Sequence, residues 1–345
     1  PNEVLKMDQK LQVVVIDYDD NKKRISLGLK QLQPHPWDSL PEGIEVGSKG
    51  VKLCVLNPLI PSEIVGKKIV FDTTINTDFI KFSESSSDAT NKAMLVLYHL
   101  SSNRFGILDQ NIFLAISSGV KQTAKKENKM NVVYEFIDKI KNSLNRPQKK
   151  IEVLSVYQES LYTSLSMISK EESVRSIIID IGSGNTKGGY FITPNIFNVF
   201  NIPWGTKSLH SSVEKQCDSP CAEKRFHTLL QDKLDAINSE DIPKAIDALG
   251  ITSYNFKMVF SGGIVWATAT LIHPESIGKE SIELSFSEVK NFHLQVLKNY
   301  ESIVGKELNQ EFLDEKYKVQ KVFSRLNILS GSGLLLYIMH KFENG

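Results

Sequence analysis

The chain is poor in cysteine and tryptophan and carries almost no net charge. Three cysteines in 345 residues (Cys54, Cys217, Cys221) are too few for a disulfide framework. The pair that frames "CDSPC" has no second ligand pair at zinc spacing downstream, which argues against a structural zinc. A balance of 41 Lys and Arg against 40 Asp and Glu, formally +1, removes the global signature of a nucleic-acid or anionic-membrane binder. No apolar run approaches the roughly 18 residues of a spanning helix, and no signal-peptide pattern opens the sequence. These absences give the expectation of a soluble, cytoplasmic protein without a membrane partner. The length suffices for two domains with real apolar cores.

The first 50 residues are of a different kind from the rest. "LQVVVIDYDDNKKRISLGLK" (residues 11–30) holds an apolar run, a polar turn at 19–23 and alternation at Ile25, Leu27 and Leu29, the pattern of a β-hairpin. "QPHPWDSLPEGIEVGSKG" then reads as an irregular linker rich in turn residues. Residues 1–50 together resemble the OB-type RNA-binding repeats of the largest small-subunit ribosomal protein. Only the last strands of one module and the opening of the next are covered, without the strands whose aromatics stack on bases. Lys22, Lys23 and Arg24 read as a solvated turn, and RNA binding by this segment alone is not expected. Further on, "VKLCVL" and "KKIVFDTT" read as short strands, and "SESSSD" as a loop capping a helix that begins near Ala89.

The most distinctive stretch is "IIIDIGSGNTKGGYF" (177–191). A Walker loop fails, because counting five from Gly182 gives Lys187 rather than glycine. The dinucleotide fingerprint fails as well, since three residues separate "GSG" from Gly188. "KGGYFIT", a "PN" turn and "IFNVFNI" follow as extended segments, so the loop joins strand to strand, whereas both rejected motifs join strand to helix. A plain hairpin would need no aspartate and fewer small residues. Converging backbone N–H groups, with Ser183, Asn185 and Thr186 as side-chain donors, make a natural phosphate cradle, and Asp180 is suited to a hydrated Mg²⁺. The loop resembles the phosphate hairpin of the superfamily of actin, sugar kinases and heat-shock ATPases.

Six segments in order sharpen that likeness: "FLAISSGVKQTAKKEN", "IEVLSVYQESLYTSLSMI", "IIIDIGSGNTKGGYF", "NIPWGTKSL", "MVFSGGIVWATATLI" and "FSRLNILSGSGLLLYIM". Over residues 84–345 the chain resembles the exopolyphosphatase and guanosine pentaphosphate phosphohydrolase family. The resemblance implies an α/β fold of two ribonuclease-H-like domains around a cleft, preceded here by a partial OB-type β segment. The expected divisions are 1–50, 51–170 and 171–345, each α/β domain holding a mixed five-stranded sheet, with a last helix (326–342) returning to the first domain.

The resemblance also implies roles. Glu159 falls at the family's catalytic glutamate, where a base must deprotonate water in line with the leaving group. Asp180 falls at a metal position for Mg²⁺ or Mn²⁺, and Gly182, Ser183, Gly184, Asn185 and Thr186 at the phosphate hairpin. Ser117, Ser118 and Lys121 match a further phosphate-gripping stretch, with lysine in place of arginine. Ser261, Gly262 and Gly263 end a strand and open a helix at about Val265, offering N–H groups to an anion, while Trp266 reads as packing. Residues 121–150 carry nine Lys/Arg against three Asp/Glu. They read as a solvated helix face over a buried stripe of Val133, Phe136, Ile137, Ile140 and Leu144, on a basic rim suited to a polyanion.

Two departures stand out. The family's first phosphate hairpin is expected to be missing, "VFDTTINTDFIKF" (70–82) being a poor substitute, and Lys187 stands where an acidic residue is usual. The expected activity is a metal-dependent phosphohydrolase acting on polyphosphate or a guanosine pentaphosphate-like alarmone, with a homodimer as the expected assembly. The alternatives are a non-catalytic polyphosphate or alarmone sensor, and an RNA-associated protein acting through its N-terminal fragment. A sugar or acetate kinase is disfavoured by Glu159 in place of the usual aspartate.

Overall fold

The computed structural model describes residues 14–19, 24–28, 42–57, 60, 69–169, 171–193, 196–217, 221–250, 256–277, 279, 281–305 and 310–344. Strands β1 (Val14–Asp19) and β2 (Arg24–Gly28) form the expected antiparallel hairpin. Leu29 and the turn residues Lys22 and Lys23 lie outside the described residues.

Two larger sheets follow, built to one plan. In the first, β3 (Glu42–Val46), β4 (Gly50–Leu56) and β5 (Ile69–Asn76) form an antiparallel meander, with β6 (Ile112–Ile116) and β7 (Ile151–Val153) added in parallel on the far side of β3. In the second, β8 (Ser176–Ile181), β9 (Thr186–Thr193) and β10 (Ile196–Ile202) form the meander, and β11 (Lys257–Ser261) lies parallel to β8. Among the described residues the second sheet has four strands rather than the expected five.

The expected division at residue 50 is corrected by strand pairing. β3 bonds to both β4 and β6 and sits at the centre of the first sheet, so residues 42–50 belong to it and not to a linker. Alternation explains why: Ile44 and Val46 of β3 and Val51, Leu53 and Val55 of β4 point into one core, with polar residues between them.

Helices cover this core. α1 (Glu84–Phe105) starts earlier than expected because Ser83, not a later residue, is the N-cap, trading side-chain and backbone hydrogen bonds with Ser86. α2 (Ser118–Lys126) and α3 (Met130–Ser143) follow. The expected stripe on α3 is present, with Val133, Phe136, Ile137 and Ile140 buried, each contributing roughly 1.5–3 kcal/mol. Leu144 packs at its margin.

α4 (Val156–Met167) carries the chain to the second unit. There Ile177, Ile179 and Ile181 of β8 meet α5 (Thr206–Glu214), α6 (Glu223–Ala236), α7 (Ile242–Leu249), α8 (Gly263–Ile272), α9 (Phe286–Val304) and α10 (Gln310–Val322). The last helix, α11 (Arg325–Asn344), was expected to return to the first unit; among the described residues its main contacts are with the second. Its Ile328, Leu334, Leu335, Ile338 and Phe342 are buried in the second core against α5, α8 and α9, which absorb its apolar face. Among the described residues no single helix is long and apolar enough to cross a membrane. Cys217 and Cys221, with Cα atoms 5.1 Å apart, are joined as a disulfide.

Candidate active site

The register of the second sheet places four polar residues in one row. Asn201 of β10, Lys187 of β9, Asp180 of β8 and Ser261 of β11 are successive cross-strand partners. Side chains on neighbouring strands in register touch, and here they do: Lys187 Nζ donates to Asp180 Oδ2 at 2.7 Å, and Ser261 Oγ to Asp180 Oδ1 at 2.9 Å. Glu159, on the first turn of α4, reaches the same ammonium, with Oε1 2.9 Å from Lys187 Nζ. Its other oxygen accepts the N–H of Ser118 at 2.7 Å. The Lys187 side chain is only 4% exposed.

Burial alone would raise the Asp180 carboxyl, but the Lys187 charge, its hydrogen bond and the Ser261 hydroxyl overcome this and hold it below the usual range. Burial would likewise lower the Lys187 ammonium, and Asp180 and Glu159 more than reverse that. A third acid completes the cluster. Glu45 on β3 is pushed up to about 7, first by burial and then by the neighbouring charge of Glu159, against the opposing pull of Lys187 and Lys52.

Glu45 marks a hairpin that sequence reasoning missed. "EVGS" at 45–48 repeats the order of "DIGS" at 180–183: an acid, an apolar residue, a glycine and a serine between paired strands. A first hairpin with this residue order is therefore present at residues 45–50, where none was expected. Within it, Gly47 N–H closes the turn onto Gly50 O at 2.8 Å.

The two hairpins meet face to face. A Cβ on Gly184 would lie 3.0 Å from Ser48 Oγ, which measures how closely the two loops approach. In the second hairpin every loop carbonyl is taken. Gly182 O accepts from Thr206 N, Ser183 O from the N–H groups of Lys207 and Ser208, Gly184 O from Ser208 Oγ, and Asn185 O from Gly182 N. What the loop still offers a ligand is N–H, the chemistry of an anion nest.

The other expected contacts divide. Ser118 Oγ is fully buried without a partner and suits a ligand contact. Ser117 instead caps α2 through Val120 N–H, and Lys121 Nζ donates to Val153 O at 3.3 Å rather than reaching the cluster. Thr186 Oγ1 donates to Trp204 O, and Asn185 Nδ2 to Asn201 Oδ1 at 2.7 Å. Asn201 also exchanges hydrogen bonds with Gln122 of α2, tying the two units together. Ser261 holds Asp180; Gly262, at φ +106°, and Gly263 start α8 directly behind it. Trp266, expected to serve packing, is 37% exposed.

A divalent cation at Asp180 would draw on the oxygens of Asp180 and Glu159, yet all four already have a partner, two of them the same ammonium. Among the described residues no group of three His, Cys, Asp or Glu side chains is arranged to hold a metal. The residues present do not fit the Mg²⁺ or Mn²⁺ expected at Asp180.

This two-sheet arrangement with facing hairpins is the fold of the Ppx/GppA phosphatases. The structure superimposes on the Ppx/GppA enzyme of Aquifex aeolicus with a TM-score of 0.57 at 16% identity, covering 88% of this chain and 93% of that one. An exopolyphosphatase from Cytophaga hutchinsonii gives 0.52 at 14% identity, over 87% and 90% of the two chains. At these identities the likeness is one of fold. The N-terminal segment is similar to small ribosomal subunit protein bS1, 53% identical over 49 residues in Rickettsia typhi and 36% over 67 residues in Chlamydia trachomatis. Those matches span 9% and 12% of the curated relatives' length. No protein-family model matches the chain.

Proposed function

We propose that the cleft binds a polyphosphate-like phosphoanhydride and hydrolyses its terminal phosphate. The observation that carries this reading is the apposition of the two hairpins, Ser48 against Gly184, with Glu159 beside them. Phosphate oxygens would be received by loop N–H groups and the Ser118 hydroxyl. Water attacks the terminal phosphorus, the bridging P–O bond breaks toward the shortened chain, and Glu159 takes the water proton. Similarity of fold to exopolyphosphatases supports this chemistry.

A binding-only reading is favoured by a different observation: Glu159 is already engaged at both oxygens, by Lys187 and by Ser118 N–H. Phosphate release from long-chain polyphosphate by the purified chain, set against the Glu159→Gln variant, decides between them. Release that vanishes in the variant supports hydrolysis. Tight binding with no release in either protein supports the sensor.

A further inference from the structure

We infer that the ammonium of Lys187 stands in for the divalent cation, holding Asp180 and Glu159 together so that the cleft receives its phosphate ligand without a bound metal. The inference rests on the phosphoanhydride reading above for its ligand, and on geometry for the rest. Lys187 bridges Asp180 at 2.7 Å and Glu159 at 2.9 Å, two of the three carboxylates gathered in this cluster with Glu45. It does so from the middle of the register row, flanked by Asp180 on one strand and Asn201 on the other, with its side chain almost wholly enclosed.

Displacing it would cost the desolvated ammonium both of its counter-ions. Admitting a cation beside it would place like charges in contact. Mg²⁺ also demands six oxygen ligands at about 2.0–2.1 Å and keeps several waters. The outer carboxylate oxygens are bonded to Ser118 N–H and Ser261 Oγ instead. A lysine fixed in this way supplies one charge where a metal would supply two. It acts as a point charge and hydrogen-bond donor and takes no part in lowering the pKa of a bound water.

The test reads metal binding directly. The full chain, stripped with EDTA and dialysed, is titrated with Mn²⁺ and free Mn²⁺ is followed by electron paramagnetic resonance, in wild type, Lys187→Glu and Asp180→Asn. Wild type is expected to show no saturable site, and its melting temperature to be the same in Mn²⁺ and in EDTA. Lys187→Glu is expected to gain one saturable site; where it fails to fold, Lys187→Gln, which frees the same carboxylates, serves instead. One Mn²⁺ bound by wild type and lost in Asp180→Asn overturns the inference. Because no turnover is read, a chain that fails to cleave polyphosphate would sink the hydrolase reading alone. Stoichiometric Mn²⁺ binding in an active enzyme would sink this inference alone.

Discussion

The N–H of Ser118, at the start of α2, donates to Glu159 Oε2 at 2.7 Å. The proposed base is therefore aimed by the helix start that the sequence had suggested for phosphate. Glu159→Gln keeps an acceptor for that N–H but cannot take a proton. Turnover of polyphosphate is expected to fall by roughly 10²–10⁴-fold, the usual size of a general-base contribution. Binding, measured by calorimetry, should hold or tighten because a negative charge near the phosphates is gone. Unchanged turnover would remove Glu159 from the chemistry.

Asp180→Asn removes one of the two counter-ions of a buried ammonium. Breaking a buried pair from one side typically costs about 3–5 kcal/mol, partly offset here because Glu159 remains. Urea denaturation should show a clear loss, while a variant as stable as wild type would mean that Lys187 does not depend on Asp180.

Gly205 is the point where α5 closes on the second hairpin. A Cβ there would lie 2.4 Å from Gly182 O and 2.7 Å from Asn185 N, both backbone atoms with no freedom to swing away. Gly205→Ala should cost about 1–3 kcal/mol and weaken polyphosphate binding in step, since the same carbonyls hold the loop open to anions. Loss of stability with binding untouched would separate the hairpin from ligand recognition.

His293 is buried on α9 with Nδ1 2.8 Å from Ser332 Oγ, and burial lowers its pKa to about 4. The unfolded chain binds this proton near pH 6.5 and the folded one only near 4, so stability is lost as pH falls through that window. The loss reaches at most about 3 kcal/mol. His293→Gln should flatten this part of the pH–stability curve measured by denaturation at pH 7, 6 and 5. A variant that keeps the wild-type slope would contradict it.

Much of this was legible in the residues. The strand–loop–strand order around Asp180 pointed to a hairpin rather than a nucleotide loop. Counting outward from its turn pairs Ile181 with Thr186 and Asp180 with Lys187. The stripe on α3 was readable because helical periodicity survives without knowing its partner. Glu45 was hidden by context: the same acid-apolar-Gly-Ser order was present, but a stronger local likeness claimed the segment. The meeting of Glu159 with Lys187 was not readable at all, because it depends on how α4 lies across β8 and β9. α11 shows the same limit, since its apolar face would suit either core and only tertiary packing decides which.

The placement of α11 has a consequence for synthesis. Among the described residues the last strand of the first unit ends at Val153, so that unit can fold while the rest is still being made. The second cannot complete its interior until α11 emerges, because Leu334, Ile338 and Phe342 close it. At about 5–20 residues per second, Ile177, Ile179 and Ile181 wait on the order of ten to thirty seconds for that cover. A nascent chain stalled late in translation would hold one finished half and one sticky half, and chaperones would be expected to engage the second.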